Sequence, residues 1–397
     1  MLDVNLIRQN PEKVKKALNK RGLDPALVDQ FLEIDGRWRQ LTKKIDEARA
    51  QLNLLSQERK IAAGKTVKEK IKEGELKLRG LQNERQNRLW EFPNIPAEDV
   101  PAGKDENDNV FVREAGEKPR FAFPAKDYLE LAEKLDWIDI KKAGAAAGSR
   151  FGYLKNGAAL LEIKLIQFAF DRLVAKSFIP VIPPAMIKPE VFAGMGRLSE
   201  SQKEERYFLE KDDLYLIGSA EHTLGPLHME ETLKDADLPK RYVGFSTCFR
   251  REAGSYGRDT KGILRVHQFD KVEMFSFARP EDSDKELEFL LGCQEELMKE
   301  LCLPYRVLKI CAGDLGFTDA KQYDIETWLP GQGQYRETHS ASNTTDFQAR
   351  GINSKYERGG FVHMLNATAI ALGRTIIALM ENYQTAAGTV RPPQFLL

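Results

Sequence analysis

The chain has 397 residues and carries 60 Lys or Arg against 60 Asp or Glu, a formal charge of zero, with 42% hydrophobic residues. That length holds two or three domains and at least one sizeable core, and nothing in the global charge announces a nucleic-acid partner. Charges fall within the first few residues, and no window approaches the ~18 apolar residues of a membrane span; neither a signal segment nor a membrane partner is expected.

Residues 27 to about 63 read as one long helix. Leu27, Phe31, Ile34, Trp38, Leu41, Ile45, Ala48, Leu52 and Leu55 recur in alternating steps of four and three, a heptad seam without proline. Ala62 to Thr66 reads as a reversal around Gly64, followed by a second helix from Val67 to about Trp90. The second seam is poorer, because Gly74 and Arg85 occupy core-like positions. Two helices joined by a short turn run antiparallel, so a hairpin arm is expected, ended by Phe92-Pro93. From Arg37 to Trp90 it holds 15 Lys or Arg and 7 Asp or Glu. The remainder of the neutral chain is correspondingly acidic. A solvated helix pair explains many charges of both signs; a two-to-one basic excess also fits phosphate-backbone binding.

The polar, Pro- and Gly-punctuated stretch that follows reads as a linker, placed at residues 101–125 between an N-terminal domain (1–100) and a larger one (126–397). The larger domain opens with an Ala/Leu-rich helix from Ala158 to Lys176. Strand-like runs follow at 214–217, 242–249, 265–277, 305–310, 323–328 and 334–340, with long helices at 283–301 and 367–384. Closely spaced strands with few helices point to an α+β fold with an antiparallel sheet. GxxxxGK[ST] and GxGxxG are absent, against the two commonest nucleotide folds. Cys248, Cys293, Cys302 and Cys311 lack CxxC spacing, against structural zinc or a disulfide scaffold and for a reducing cytoplasm. The five histidines have no metal-ligand spacing and read as structural.

Thr247 to Glu252 (TCFRRE), a Gly-rich basic loop through Gly262, and Ile263 to Glu273 (ILRVHQFDKVE) read as strand, loop and returning strand. An Arg at a strand end suits a phosphate, and Phe269 and Glu273, four apart, share a face. By composition alone this is an ordinary long hairpin. The pattern Phe-Arg-x-Glu, loop, Arg-x-His-Gln-Phe-x-Lys-Val-Glu, however, resembles motif 2 of the class II aminoacyl-tRNA synthetases (about 244–277), in the version of the seryl-tRNA synthetases. FIPVIPPAMIKPEVFAGMG (178–196) resembles motif 1, LNATAIALGR and the helix after it (365–384) resemble motif 3, and YRETHSASN with DFQAR resembles the seryl family's active-site strand. With the arm included, the resemblance runs from Met1 to Leu397.

The resemblance implies a class II antiparallel sheet flanked by helices, plus a coiled-coil arm that binds serine tRNA together with the motif 2 loop. It further implies a homodimer built through motif 1, with Pro184 as its proline. It implies activation of serine with ATP, then transfer of serine to the 3′ end of its tRNA, with selenocysteine tRNA as a possible second acceptor. By position, Arg250 would contact the α-phosphate and Arg374 the γ-phosphate. Arg251, Glu252, Val266, Phe269, Thr338 and His339 would complete the ATP site, with Glu252 on the adenine amino group and Phe269 stacked on the ring. Glu337 and Ser340 would ligate Mg²⁺ and contact ATP. Ser219, Ala220, Glu221, Arg250, Glu273, Asn366 and Thr368 would hold serine, and a pocket built for a hydroxyl rejects alanine.

Some positions depart from the commonest family wording. Ser219 stands for Thr, His339 and Ala341 for Ser and Cys, and Ala367 for Gly or Asn; none removes a charged group. The alternative is a paralogue that makes activated serine for another pathway. Its carrier-loading type typically lacks the arm, which is present here. A coiled-coil scaffold explains residues 27–90 and nothing after residue 178.

Overall fold

In the computed structural model, residues 1–253 and 261–396 are described, apart from the Ser201 side chain. The motif 2 loop expected to touch tRNA has its centre, residues 254–260, outside them, as is Leu397. The chain forms two compact units, Met1–Ile95 and Pro96–Leu397.

In the first unit, α1 (Val4–Gln9) and α2 (Pro11–Lys20) precede two long antiparallel helices, α3 (Ala26–Gln57) and α4 (Ile61–Trp90). At 1.5 Å per residue each long helix runs about 45 Å. The seam packs as expected: Ile45, Val67 and Ile71 are buried, with Leu41, Leu52, Leu55 and Leu78 against them. The reversal lies at 58–60, not at 62–66, and Arg59 supplies the left-handed residue (φ 56°). Gly64 lies inside α4, where a Cβ would meet Leu52 at 3.7 Å, and one on Gly74 would meet Ile45 at 3.0 Å. Gly74 therefore sits where the helices approach closely, whereas Gly64 leaves room for an ordinary contact. The core-like Arg85 also has a partner. Asp35, fully buried on α3, takes bonds from Arg85 Nε (2.7 Å), Arg8 (2.8 and 2.7 Å) and Arg39 (3.0 Å).

The second unit is built on one eight-stranded sheet. Its strands are β1 (Val110–Ala115), β2 (Ile179–Val181), β3 (Lys240–Phe249), β4 (Gln268–Ala278), β5 (Tyr305–Lys309), β6 (Lys321–Leu329), β7 (Gln334–Asn343) and β8 (His363–Ala371), ordered β1-β5-β6-β7-β8-β4-β3-β2. All neighbours are antiparallel except β2, which lies parallel to β3 at an edge. The expected α+β sheet is present. Two local expectations change. The segment expected as a linker contains β1 (VFVREA), an edge strand of the sheet paired with β5. Residues 367–371, expected as the start of a helix, belong to β8, and the helix begins at Leu372. Met364 to Ile370 is buried throughout, and a strand covered on both faces lacks the alternation that would tell it from a buried helix.

The helices that position the site are α5 (Asn156–Val174), α6 (Glu221–Leu224), α7 (Ser283–Glu300), α8 (Phe347–Ile352) and α9 (Leu372–Asn382). The main core lies between the sheet and α5, α7 and α9, around Leu165, Leu290, Val272 and Ile376.

Candidate active site

On β4, residues 269, 271 and 273 point to one face by strand alternation, and all three line cavities over the sheet. One cavity, about 200 Å³, has Phe269, Val266, Glu337 and Arg374 in its wall. The other, about 450 Å³, has Glu221, Glu273, Ser219 and Asn366. Arg250, Glu252, Arg265, Lys271 and Ser340 line both, so the cavities adjoin. Arg250 Nε donates to Gly218 O (3.1 Å), and its guanidinium lies 5.3 Å from the Phe269 ring centre.

Two bulges aim the remaining side chains. Residues three apart on a regular strand face opposite ways, yet Glu337 and Ser340 line the same cavity. Pairing runs from Ile325–His339 directly to Glu326–Glu337, which leaves Thr338 as an extra residue that turns the strand. Likewise β8 steps from Ile370 to Thr368 against Val272 and Glu273, so Thr368 and Ala371 share a wall. Glu252 has φ 53°, an uncommon backbone for a carboxylate side chain, and its Oε2 accepts from Arg265 Nη1 at 3.0 Å.

In the larger cavity two buried carboxylates are each tethered through one oxygen. Glu221 Oε1 accepts from Arg197 Nε (3.1 Å), Arg197 Nη2 (2.6 Å) and Gln348 Nε2 (2.8 Å). Burial would raise this carboxyl, but Arg197 above all holds it below the ordinary value. Glu273 Oε2 lies 2.7 Å from Lys271 Nζ and 3.4 Å from Thr368 Oγ1, and burial pushes this group up despite Lys271. Asn366 Nδ2 is buried in the same wall with no hydrogen-bond partner among the described residues, a donor left for something in the cavity. Ser219 Oγ accepts from the Glu221 N–H (3.2 Å), and Ala220 is packed in the core rather than in the wall. His222 is held neutral, by burial first and then by Arg206, Arg197 and Arg250; its Nδ1 accepts from the Gly218 N–H (3.1 Å).

In the smaller cavity Arg374 Nη1 donates to Glu337 O (2.9 Å) and lies 3.2 Å from Glu337 Oε1. Burial opposes the Glu337 charge, but Arg374 and then Arg250 hold the carboxyl below its usual range, with its side chain half exposed. Thr338 bonds Thr327 Oγ1 (2.7 Å), and His339, which burial lowers to about 4, turns into the protein with Nδ1 on Thr338. Arg251 also points elsewhere: it is exposed, donates to Arg206 O (2.9 Å) and covers the Tyr207 ring. Sequence reasoning did not single out Arg197, Arg206, Arg265, Lys271, Asp314 or Asp319, all of which line the larger cavity. Lys271 was within reach, since it shares the two-residue alternation of Phe269 and Glu273. For Arg197 and Arg206 the sequence carries no local signal.

Residues 1–96 match the seryl-tRNA synthetase N-terminal domain family, and residues 206–383 match the tRNA synthetase class II core domain (G, H, P, S and T). A serine–tRNA ligase of Dictyoglomus turgidum is 43% identical, over 100% of this chain and 97% of the relative. The crystal structure of seryl-tRNA synthetase from Pyrococcus horikoshii complexed with ATP superposes with a TM-score of 0.92 at 43% identity, covering 100% of this chain and 97% of that one. The cytoplasmic serine–tRNA ligase of Naegleria fowleri in complex with AMP gives 0.88 at 33% identity, covering 100% and 96%. With adjoining cavities on a class II sheet and relatives that match from end to end, this chain belongs to the seryl-tRNA synthetase family.

Proposed function

We propose that the chain is a serine–tRNA ligase that activates serine with ATP and passes the seryl group to tRNA. One observation carries the reading: Arg250 stands where the two cavities adjoin, one with a ring-stacking wall and a second arginine, the other with buried carboxylates. ATP takes the first cavity, with its adenine on Phe269 beside Val266, its exocyclic amine toward Glu252 and its γ-phosphate on Arg374. Serine takes the second, with its ammonium between Glu221 and Glu273 and its hydroxyl near Thr368 and Asn366.

Serine carboxylate then attacks the α-phosphorus in line. The new O–P bond forms as the bond to pyrophosphate breaks, giving seryl-adenylate. Arg250 neutralises the α-phosphate as its charge grows. In the second step the 3′-hydroxyl of the tRNA's terminal adenosine takes the seryl group and releases AMP. Neither step needs a protein nucleophile, so positioning and fixed charge supply the catalysis. Glu337 and Ser340 would hold Mg²⁺: both line one cavity and offer hard oxygens of the kind that metal takes. When bound, Mg²⁺ would supply charge neutralisation to the phosphates.

The basic arm is read as the tRNA-binding element. A homodimer through motif 1 is supported by apolar side chains left on the surface there, with Ile182 80%, Met186 46% and Ile179 44% exposed. Four unpaired cysteines accord with a cytoplasmic setting. The reading is tested by ATP–pyrophosphate exchange with each of the standard amino acids. Serine alone is expected to drive exchange well, and preferential exchange with any other amino acid would refute the assignment.

A further inference from the structure

Glu221 reaches the larger cavity from the short helix α6, an element with little rigidity of its own. Its aim is therefore set by what grips it, and Oε1 alone is gripped. Arg197, itself in the cavity wall, supplies two of the three bonds. The third comes from Gln348 on α8, fully buried and outside both cavity walls. The carboxylate can accept only donors, so the amide must present its NH₂ to Glu221. The same Nε2 lies 3.3 Å from Met195 O, and the amide oxygen is 3.3 Å from the Thr344 hydroxyl. Gln348 is thus held at both ends of its amide and fixes the side of the carboxylate that faces away from the cavity. Among the described residues Glu221 Oε2 has no such partner.

We propose that Gln348 is a positioning residue for the serine ammonium: it turns Glu221 so that Oε2 meets the substrate, without touching the substrate itself. Arg197 balances the charge of Glu221, whereas neutral Gln348 sets its direction. The inference rests on the serine reading of the cavity. It places the control of one amino-acid contact on a residue of the DFQAR segment, behind the pocket, whose loss should act on serine alone. ATP lies against other walls. A serine analogue without the amino group makes no use of Oε2.

The test measures KM for serine, KM for ATP and kcat in pyrophosphate exchange for wild type, Gln348→Met and Gln348→Asn, with 3-hydroxypropionate as competing inhibitor. Gln348→Met keeps the volume and removes the donor; Gln348→Asn keeps an amide but withdraws it, and guards against a variant that fails to fold. A lost hydrogen bond to a buried charge corresponds to a rise of about tenfold in serine KM for Gln348→Met, with a smaller rise for Gln348→Asn. ATP KM, kcat and inhibition by 3-hydroxypropionate are expected to stay within about twofold of wild type. An unchanged serine KM in both variants overturns the proposal. So does a parallel rise in both KM values, or a loss of 3-hydroxypropionate binding that matches the loss for serine, since each marks a merely structural role. Wild type without serine-dependent exchange would instead sink the serine reading on which the proposal stands.

Discussion

At the scale of single residues, the site is a set of opposed charges whose values are set by burial and by neighbours. Removing Arg250 takes away one of the three cations, with Arg265 and Lys271, that line both cavities. Arg250→Ala is expected to lower kcat/KM for pyrophosphate exchange by about 10²–10³-fold, the usual cost of losing one preorganised group that meets developing charge; exchange at the wild-type rate would remove Arg250 from that role. A second residue-level expectation concerns Glu162 on α5. It lies in a largely apolar cavity with Asp270, among Ala159, Ile166 and Phe245, and the two are the carboxyl groups of that wall. Burial first, then Asp270, pushes Glu162 up to about 8. Such a carboxyl holds its proton in the folded state at pH values where the unfolded chain, near the ordinary 4.5, has lost it. The folded state binds more protons in that window, so stability falls as pH rises from about 4.5 to 8. Glu162→Gln, neutral at every pH, should flatten the drop in melting temperature between pH 6 and pH 8; an equally steep drop would show that Glu162 is ionised in the folded protein.

At the scale of elements, the long hairpin is closed by the Asp35 cluster at its base and by glycine contacts farther along. Asp35→Ala leaves Arg85 and Arg8 without their shared anion. It is expected to cost about 3 kcal/mol, in the range for breaking a buried pair, read by urea unfolding; a change below about 1 kcal/mol would mean that the cluster behaves like a surface pair. Because Ile45 already touches Gly74, residues 46–73 can be replaced by a short turn while that base stays intact. The shortened protein should keep pyrophosphate exchange and lose most tRNA charging, with the loss relative to wild type greatest at low salt, where the arm's phosphate contacts are strongest. Equal loss of both activities would make the arm a structural part of the enzyme. The arm was legible in the sequence because a heptad seam is a long, redundant signal. Its turn was not, since Gly64 fits a reversal and is also tolerated inside the helix it actually occupies, and Arg59 gives no hint of positive φ. The bulges at Thr338 and Ala369 were equally hidden: nothing in the residue types marks an extra residue, yet they alone put Glu337 with Ser340 and Thr368 with Ala371.

At the scale of the whole molecule, motif order rather than composition made the catalytic unit readable. Arg250, Phe269 and Glu273 were found because a strand, loop and strand repeat a family pattern, and Arg374 because LNATAIALGR repeats another; all four converge on adjoining cavities. Arg197 and Arg206 reach the larger cavity from elsewhere in the chain, with Gln348 behind its wall, and long-range packing of that kind leaves no trace in local spacing. The central claim is that this convergence makes seryl-tRNA. The most direct measurement is aminoacylation of total tRNA with labelled serine, run beside Arg250→Ala. The wild-type chain is predicted to charge serine in an ATP-dependent reaction and the variant to lose about 10²–10³-fold in rate. Wild type that forms no seryl-tRNA, or a variant that charges as fast as wild type, would contradict the account.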